Sequence, residues 1–446
     1  MKKKVIIAAL QFVMLPLIAQ QPMWIDPKVN SDNRMPRAAD YFSYESLDKA
    51  DNGKEASSRF MSLEGNWRFN FVRNAYDKPA DFFKVGYDDK NWVDFPVPGL
   101  FEMEGYGDRI YTNVTYPWNN EHPINPPYVG ERENYVGSYR REFRIPAEWK
   151  GQRVYMHVGS ATSNLTLWVN GKYVGYSEDS KMAAEFDITD FVQCGNSNLF
   201  AMQIMRWCDG SYLEDQDFWR FTGIARQVYL YTRPESQVSD FSVTTDLDAK
   251  YQNATLHFEA SLKNADGRKL SLSLKDASGR EVAKREMTLA GNTMNTDFLV
   301  KNPYKWTAET PYLYTLYITL SGQDGKVIEV IPQKVGFREV EIRDRQLLVN
   351  GQPILVKGAD RHEMSAKGGY IMTLDEMVQD IRIMKEMNIN AIRTSHYPDD
   401  PRWYDLCDEY GIFLVAEANV EGHGMMYGSS PLARNADYEL AHLERN

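Results

Sequence analysis

The feature that most constrains this chain is a change of hydrophobic period near Asn350-Gly351. Before that point apolar residues alternate with polar ones, the period of half-buried β-strands. Trp67, Phe69 and Phe71 alternate with Arg68 and Asn70. Val154, Met156 and Val158 repeat the pattern, and Leu165, Leu167 and Val169 lead to a hairpin signal at Asn170-Gly171. After Asn350-Gly351 the order is a short apolar run at Ile354 to Lys357, a helix, a strand, a second helix and a third strand. Thr373 and Glu376 form a capping box, and Leu374, Met377, Ile381 and Met384 make one apolar helical stripe. Asn390 to Thr394 reads as the next strand. Pro401 opens the second helix, which carries Trp403, Leu406 and Cys407, and Gly411 ends it. Ile412 to Ala418 reads as a strand buried on both faces. Such a sequence cannot be one sheet or one bundle. It requires β-sandwich units followed by a parallel β/α unit.

The β part divides again. Residues 59–234 read as a large Trp-rich sandwich whose tryptophans fill a core or stack on sugar rings. From Glu235 to Arg343 short strands are separated by Asp266-Gly267, Ser278-Gly279 and Asp324-Gly325, the texture of an immunoglobulin-like sandwich. A closed (β/α)₈ barrel takes ~250 residues, whereas three strands fit in the remaining stretch. The expected fold class is therefore multidomain β plus α/β.

The chain has 446 residues and a net charge of −11, with no Lys/Arg block. That balance argues against nucleic acid and anionic membrane as partners. Lys2 to Lys4 followed by apolar Val5 to Ile18 and Ala19 reads as a secretory signal over residues 1–20, giving a periplasmic or secreted location. No later run approaches the ~20 apolar residues of a membrane span. Cys194, Cys208 and Cys407 are too few and too scattered for a disulfide framework or a zinc site.

Chemistry-bearing residues gather just after the three strands of the last region. The segments are Gly358-Ala359-Asp360-Arg361-His362-Glu363, Arg393-Thr394-Ser395-His396-Tyr397-Pro398 and Glu417 to Gly424. In a parallel barrel these loops share the carboxyl-terminal face, where active sites form. Glu421 and His423, two residues apart between glycines, can ligate a divalent cation or can be two neighbouring surface residues. His396 can donate to an oxygen-rich substrate or cap a strand end. Glu363 and Glu417 are candidate acid/base carboxylates. In the first domain, Asp209 to Arg220 packs acids beside aromatics, as a solvated loop or a site would. Asn113 sits in Tyr111 to Pro117 within a formal glycosylation sequon, as do Asn164 and Asn253.

Taken together, Ile110 to Pro117, Asp209 to Trp219, Arg361-His362-Glu363, Arg393 to Pro398 and Glu417 to Gly424 resemble glycoside hydrolase family 2, and within it the large bacterial β-galactosidases. The resemblance runs from about Phe42 to the last residue. It implies a jelly-roll sugar-binding domain (40–235), an immunoglobulin-like β-sandwich (236–343) and the N-terminal part of a TIM (β/α)₈ barrel (344–446). By this likeness the activity is retaining hydrolysis of terminal non-reducing β-D-galactose from β-galactosides. Asn113 and Asp217 would reach the sugar, and Asp217 would also touch Na⁺. His362 and His396 would steady the transition state as catalytic residues, and Glu421 and His423 would bind Mg²⁺. The family works as homo-oligomers. Asp360 departs from the pattern, which has Asn there, and puts a charge near His362.

The family places its acid/base Glu in an Asn-Glu motif beyond the fourth strand and its nucleophile further on. Nothing among the residues after His423 resembles either, and a retaining mechanism needs both carboxylates. The expectation is a chain without turnover alone, whose incomplete barrel exposes apolar surface. The rivals are a non-catalytic carbohydrate-binding or assembly protein, and another exo-glycosidase of the family such as a β-glucuronidase. The Glu421-x-His423 pair argues against the latter, since a uronic acid favours basic residues.

Overall fold

The computed structural model describes residues 21–425 and 431–446, so the leader read at 1–20 lies outside the described residues. Residues 60–233, with the short strand at 31–32, form a two-sheet sandwich. One sheet has seven strands in the order Ser31–Asp32, Lys172–Glu178, Asn164–Val169, Ser197–Met205, Val136–Arg144, Gly65–Val72 and Val93–Val97. The facing sheet has four, Ala184–Asp187, Arg153–Val158, Val228–Arg233 and Phe60–Ser62. The alternation legible in the sequence is what fills the space between them. Trp67, Phe69, Met156, Val158, Leu165, Leu167 and Val169 are all buried in one core. Asn170 and Gly171 take φ of 51° and 79°, the positive values their hairpin requires. Trp67 and Trp149 are core residues, and Trp168 stacks on Phe83. Trp219 is half-buried on a short strand beside the mouth described below. Buried Asn164 accepts from the Met205 amide, which removes that sequon from consideration.

The second sandwich pairs a three-stranded sheet (Gln237–Leu247, Ala254–Lys263, Thr293–Val300) with a four-stranded one (Glu281–Thr288, Lys269–Lys275, Tyr314–Ser321, Val327–Val335). Its leucine-rich core is separate from the first. The two sandwiches are tied by buried Glu329, which accepts from Ser43 Oγ at 2.6 Å, Arg233 Nη2 at 3.0 Å and the Val238 amide at 2.5 Å.

A small three-stranded antiparallel sheet at residues 340–353 leads into a parallel sheet of Gly358–Arg361, Ala391–Thr394 and Phe413–Val415. Helix Leu374–Glu386 begins at the capping box of Thr373 and Glu376, as the spacing requires. Helix Pro401–Tyr410 has Asp400 as N-cap, Pro401 in its first turn and Gly411 as a left-handed C-cap. A side chain at Gly411 would also meet the Ala308 carbonyl at 2.3 Å, where the second sandwich presses on the barrel unit. Trp306 of that sandwich donates to the Asp408 carbonyl at 2.8 Å.

Two expectations need correction. The first strand is Gly358–Arg361, beyond the apolar run, and Leu355 and Val356 are exposed. The third strand is only Phe413–Val415 and is not buried on both faces, Val415 being 58% exposed. The strand lies at the edge of its sheet, so among the described residues its outer side has no covering neighbour. Ile383 and Met387 are exposed as well, and so is Leu374 of the expected apolar stripe. No helix among the described residues is long and apolar enough to cross a membrane. All three cysteines are free, two buried and Cys194 half-buried.

Candidate active site

The carboxyl ends of the three parallel strands face the first sandwich across one mouth. On the sandwich side, the short strands Ile110–Thr112 and Phe218–Arg220 pair antiparallel, with Phe218 opposite Thr112. That register puts Asn113 and Asp217 side by side one step beyond the pair. Asn113 is exposed on the rim, and Asp217 Oδ1 accepts from Tyr111 Oη at 2.7 Å.

Buried Asp215 lies two residues upstream. One of its carboxylate oxygens accepts from Arg220 Nη2 at 2.7 Å and the other from the Gly424 amide at 2.7 Å. Burial raises the pKa of this carboxyl, against the opposing pull of Arg220. Residues 213–215 also pair with the Glu421 loop through the backbone. The Asp215 amide donates to the Glu421 carbonyl at 2.8 Å, and the Glu421 amide donates to Leu213 at 2.6 Å. The loop that follows the third barrel strand is therefore held to the sandwich by one parallel β-bridge between Glu214 and Glu421. Gln216 and Asp179 grip buried Asn419 in the same loop, at 3.1 and 2.8 Å.

On the barrel side, His362 lies flat on Phe218, with ring centroids 3.7 Å apart and planes within 3°. His396 stands edge-on to it at 5.6 Å. Burial pushes the His362 pKa down to about 4, helped by His396 and Lys181 and opposed by Asp217 and Asp360. His362 is therefore a neutral imidazole at physiological pH. His396 Nδ1 is 3.2 Å from Glu417 Oε2 and 3.2 Å from Arg393 Nη2. Arg393 also bonds Glu417 Oε1, and it holds Asp360 at 2.9 Å. The charge at Asp360 is thus answered by Arg393 rather than left facing His362 alone.

Glu421 Oε1 is 3.5 Å from His423 Nδ1. Burial raises the Glu421 pKa, while His396 and His423 both oppose that rise. His362, His396, Glu421, His423 and Asp217 accordingly converge on one mouth. As a cation site, Glu421 and His423 offer two donors of the right kind. No group of three or more His, Cys, Asp or Glu suited to a metal gathers among the described residues.

Glu363 does not belong to the reactive set. It is 2% exposed, its Oε2 pairs with Arg226 Nη2 at 2.8 Å, and its Oε1 accepts from the Asp400 amide at 2.8 Å. Arg226 comes from the first sandwich and also donates to the Pro398 carbonyl at 2.8 Å. Glu363 is a buried joint between domains, and Glu417 is committed to Arg393 and His396. Neither reads as a general acid.

Sequence reasoning missed Lys181, Arg226, Tyr111, Asp215 and Phe218. The last two lie in the Asp209 to Arg220 segment that was singled out, but nothing local marked them. Lys181 carried no signal at all.

A β-sandwich whose loops close over the carboxyl-terminal ends of a parallel β/α sheet, with a second sandwich packed against the opposite end at Asp408 and Gly411, puts the mouth on the face where β/α enzymes carry their active sites. Three models of one family match in tandem. The Glycosyl hydrolases family 2 sugar binding domain matches residues 60–234, Glycosyl hydrolases family 2 matches 236–338, and the family 2 TIM barrel domain matches 340–446. The chain belongs to glycosyl hydrolases family 2.

Among curated relatives it is 40% identical over 404 residues to a beta-galactosidase of Halalkalibacterium halodurans, covering 90% of this chain and 40% of that protein. It is 41% identical over 416 residues to a beta-galactosidase of Priestia megaterium, with the same two coverages. The chain thus spans about 40% of the length of these relatives. A solved b-glucuronidase from Ruminococcus gnavus, in complex with D-glucaro 1,5-lactone, superposes with a TM-score of 0.71 at 22% identity, over 92% of this chain and 64% of that one. A family 2 member from Bacteroides cellulosilyticus gives 0.66 at 24% identity, over 80% and 47%. These two likenesses are likenesses of fold.

Proposed function

We propose that this chain is the sugar-recognising front portion of a retaining β-galactosidase, the activity its curated relatives carry. The observation that supports the reading best is the mouth itself. Asp217 from the sandwich and the His362–His396 pair from the barrel meet there around Phe218, with the imidazole of His362 neutral. A neutral imidazole can donate one hydrogen bond and accept another, which suits the hydroxyl groups of a sugar. Asn113 and Asp217 bond sugar hydroxyls from the rim. His362 and His396 face the reacting sugar and supply fixed dipoles where positive charge develops in an oxocarbenium-like transition state.

Glu421 and His423 hold two positions of a hydrated Mg²⁺, an ion that keeps several waters and takes few protein donors. Such an ion would supply local positive charge and orient water. Asp217, already polarised by Tyr111, is the donor for Na⁺. The Glu363 and Glu417 carboxylates are committed to Arg226 and Arg393, so neither serves as acid/base or nucleophile. Export to the periplasm or beyond, and homo-oligomerisation, complete the reading.

The test is calorimetric titration of the purified chain with galactose and with glucuronate, alongside a nitrophenyl-galactoside assay. Saturable galactose binding that Asp217→Asn weakens about tenfold, the size of one lost hydrogen bond to a charged group, supports the proposal. Preference for glucuronate, or no saturable binding of galactose, overturns it. Turnover abolished by Glu417→Gln in a folded chain would overturn the assignment of that carboxylate to a purely structural pair.

A further inference from the structure

Lys181 lies just past strand Lys172–Glu178 of the first sandwich, and it is 5% exposed. Its ammonium sits 3.5 Å from the ring centroid of Tyr370 and 4.0 Å from that of Tyr397, both from the barrel unit. Burial brings its pKa down to about 8, so the group remains charged at neutral pH. A lysine that only filled space would turn its charge to solvent; this one faces two tyrosine rings, with the carboxylates of Glu363, Asp399 and Glu214 as its electrostatic neighbours.

Both tyrosines lead to His362. Tyr370 stacks beneath Phe218 at 6.0 Å, and Phe218 is the surface on which His362 lies. The Tyr397 hydroxyl is 3.5 Å from His362 Nδ1, at the outer limit of a hydrogen bond. The hydroxyl is the donor when Nδ1 carries no proton, and the ring proton then sits on Nε2. A cation on the face of Tyr397 draws electron density from the ring and makes its hydroxyl a stronger donor.

We propose that Lys181 is a positioning residue that fixes His362 in its Nε2–H form by holding Tyr397 against Nδ1, so that a residue of the sugar-binding sandwich decides which way a barrel histidine presents its proton to the galactoside. The last clause rests on the galactoside reading; the effect on His362 does not.

The full chain is studied by long-range proton–nitrogen NMR of its histidine side chains, with galactose titrations in parallel. The wild type shows one His362 tautomer protonated at Nε2. Lys181→Met and Tyr397→Phe both convert it to an averaged mixture and weaken galactose binding about tenfold, the scale of one lost hydrogen bond. Lys181→Met also raises the His362 titration midpoint, because a nearby positive charge is gone. Lys181→Arg restores both signatures, which a purely space-filling role would not predict. An unchanged tautomer in Lys181→Met, or in Tyr397→Phe where Lys181→Met does not fold, overturns the proposal. If the wild type fails to bind galactose, the functional reading falls while the tautomer measurement still decides the role of Lys181.

Discussion

The two walls of the mouth are built by different physics. The sandwich wall is set by buried contacts: Asp215 and Arg220 pair at side-chain exposures of 1% and 8%, and backbone pairing locks the Glu421 loop to residues 213–215. The barrel wall is set by half-exposed charges, with Arg393 at 39%, Asp360 at 57%, and His396 and Glu417 at 27% and 23%. Water screens the second set and not the first. The difference teaches that the sandwich supplies position, whereas the barrel loops present polar groups that can still adjust to a ligand.

The sharpest break in this comparison is at the joint between the walls. Glu363→Ala strands the Arg226 guanidinium without its partner in a dry seam, and a loss of about 3–5 kcal/mol is expected in thermal or denaturant unfolding. The exposed pair Lys28–Asp437, removed as a control, should change stability by less than about 1 kcal/mol. Next in size is Phe218→Ala, which removes the ring under His362 at a cost of about 2 kcal/mol. It should also let the His362 titration midpoint climb from about 4 back toward its ordinary 6.5, as read by NMR. The sign follows from linkage. A histidine whose folded pKa is depressed contributes stability above its ordinary value, and that contribution is lost as pH falls from 6.5 toward 4. The wild type should therefore lose stability over that window and Phe218→Ala should lose less.

Asp215→Asn sharpens the comparison from the other side. It weakens one charge-assisted bond to Arg220 and one to the Gly424 amide, for about 1–3 kcal/mol. Faster amide exchange should then appear in residues 419–424, with strand 391–394 unaffected. The smallest effect belongs to the barrel wall. Arg393→Met should cost less than about 1 kcal/mol, and the difference should vanish in high salt. A large, salt-insensitive loss there would erase the contrast between the two walls.

Local order was legible wherever a residue's job is done within a few positions of itself. The capping box at Thr373 and Glu376, the Pro401 start, the Gly411 stop and the Asn170-Gly171 hairpin are interactions over one turn, and the structure contains all of them. The strands after the period change were harder to bound. Continuous apolarity at Ile354 to Lys357 and Ile412 to Ala418 looks the same in a buried strand and in an exposed edge. From the residues alone Glu363 and Glu417 were open candidates, whereas the family resemblance already put the acid/base Glu elsewhere. Glu363 follows a strand end as a catalytic carboxylate would, but its partner Arg226 is 137 residues away in the sequence.

By itself, then, the amino-acid order determined the periodicities, caps and turns, and with them three β-rich or β/α units whose strand-end loops hold the histidines and acids. Only the tertiary structure decided which of those groups are available. Desolvation and pairing are set by neighbours from other domains: Phe218 and Lys181 keep His362 neutral, Arg226 consumes Glu363, and Asp215 tethers the loop of Glu421 and His423. An electrostatic environment is summed over everything within several ångströms, and sequence spacing carries no record of that sum.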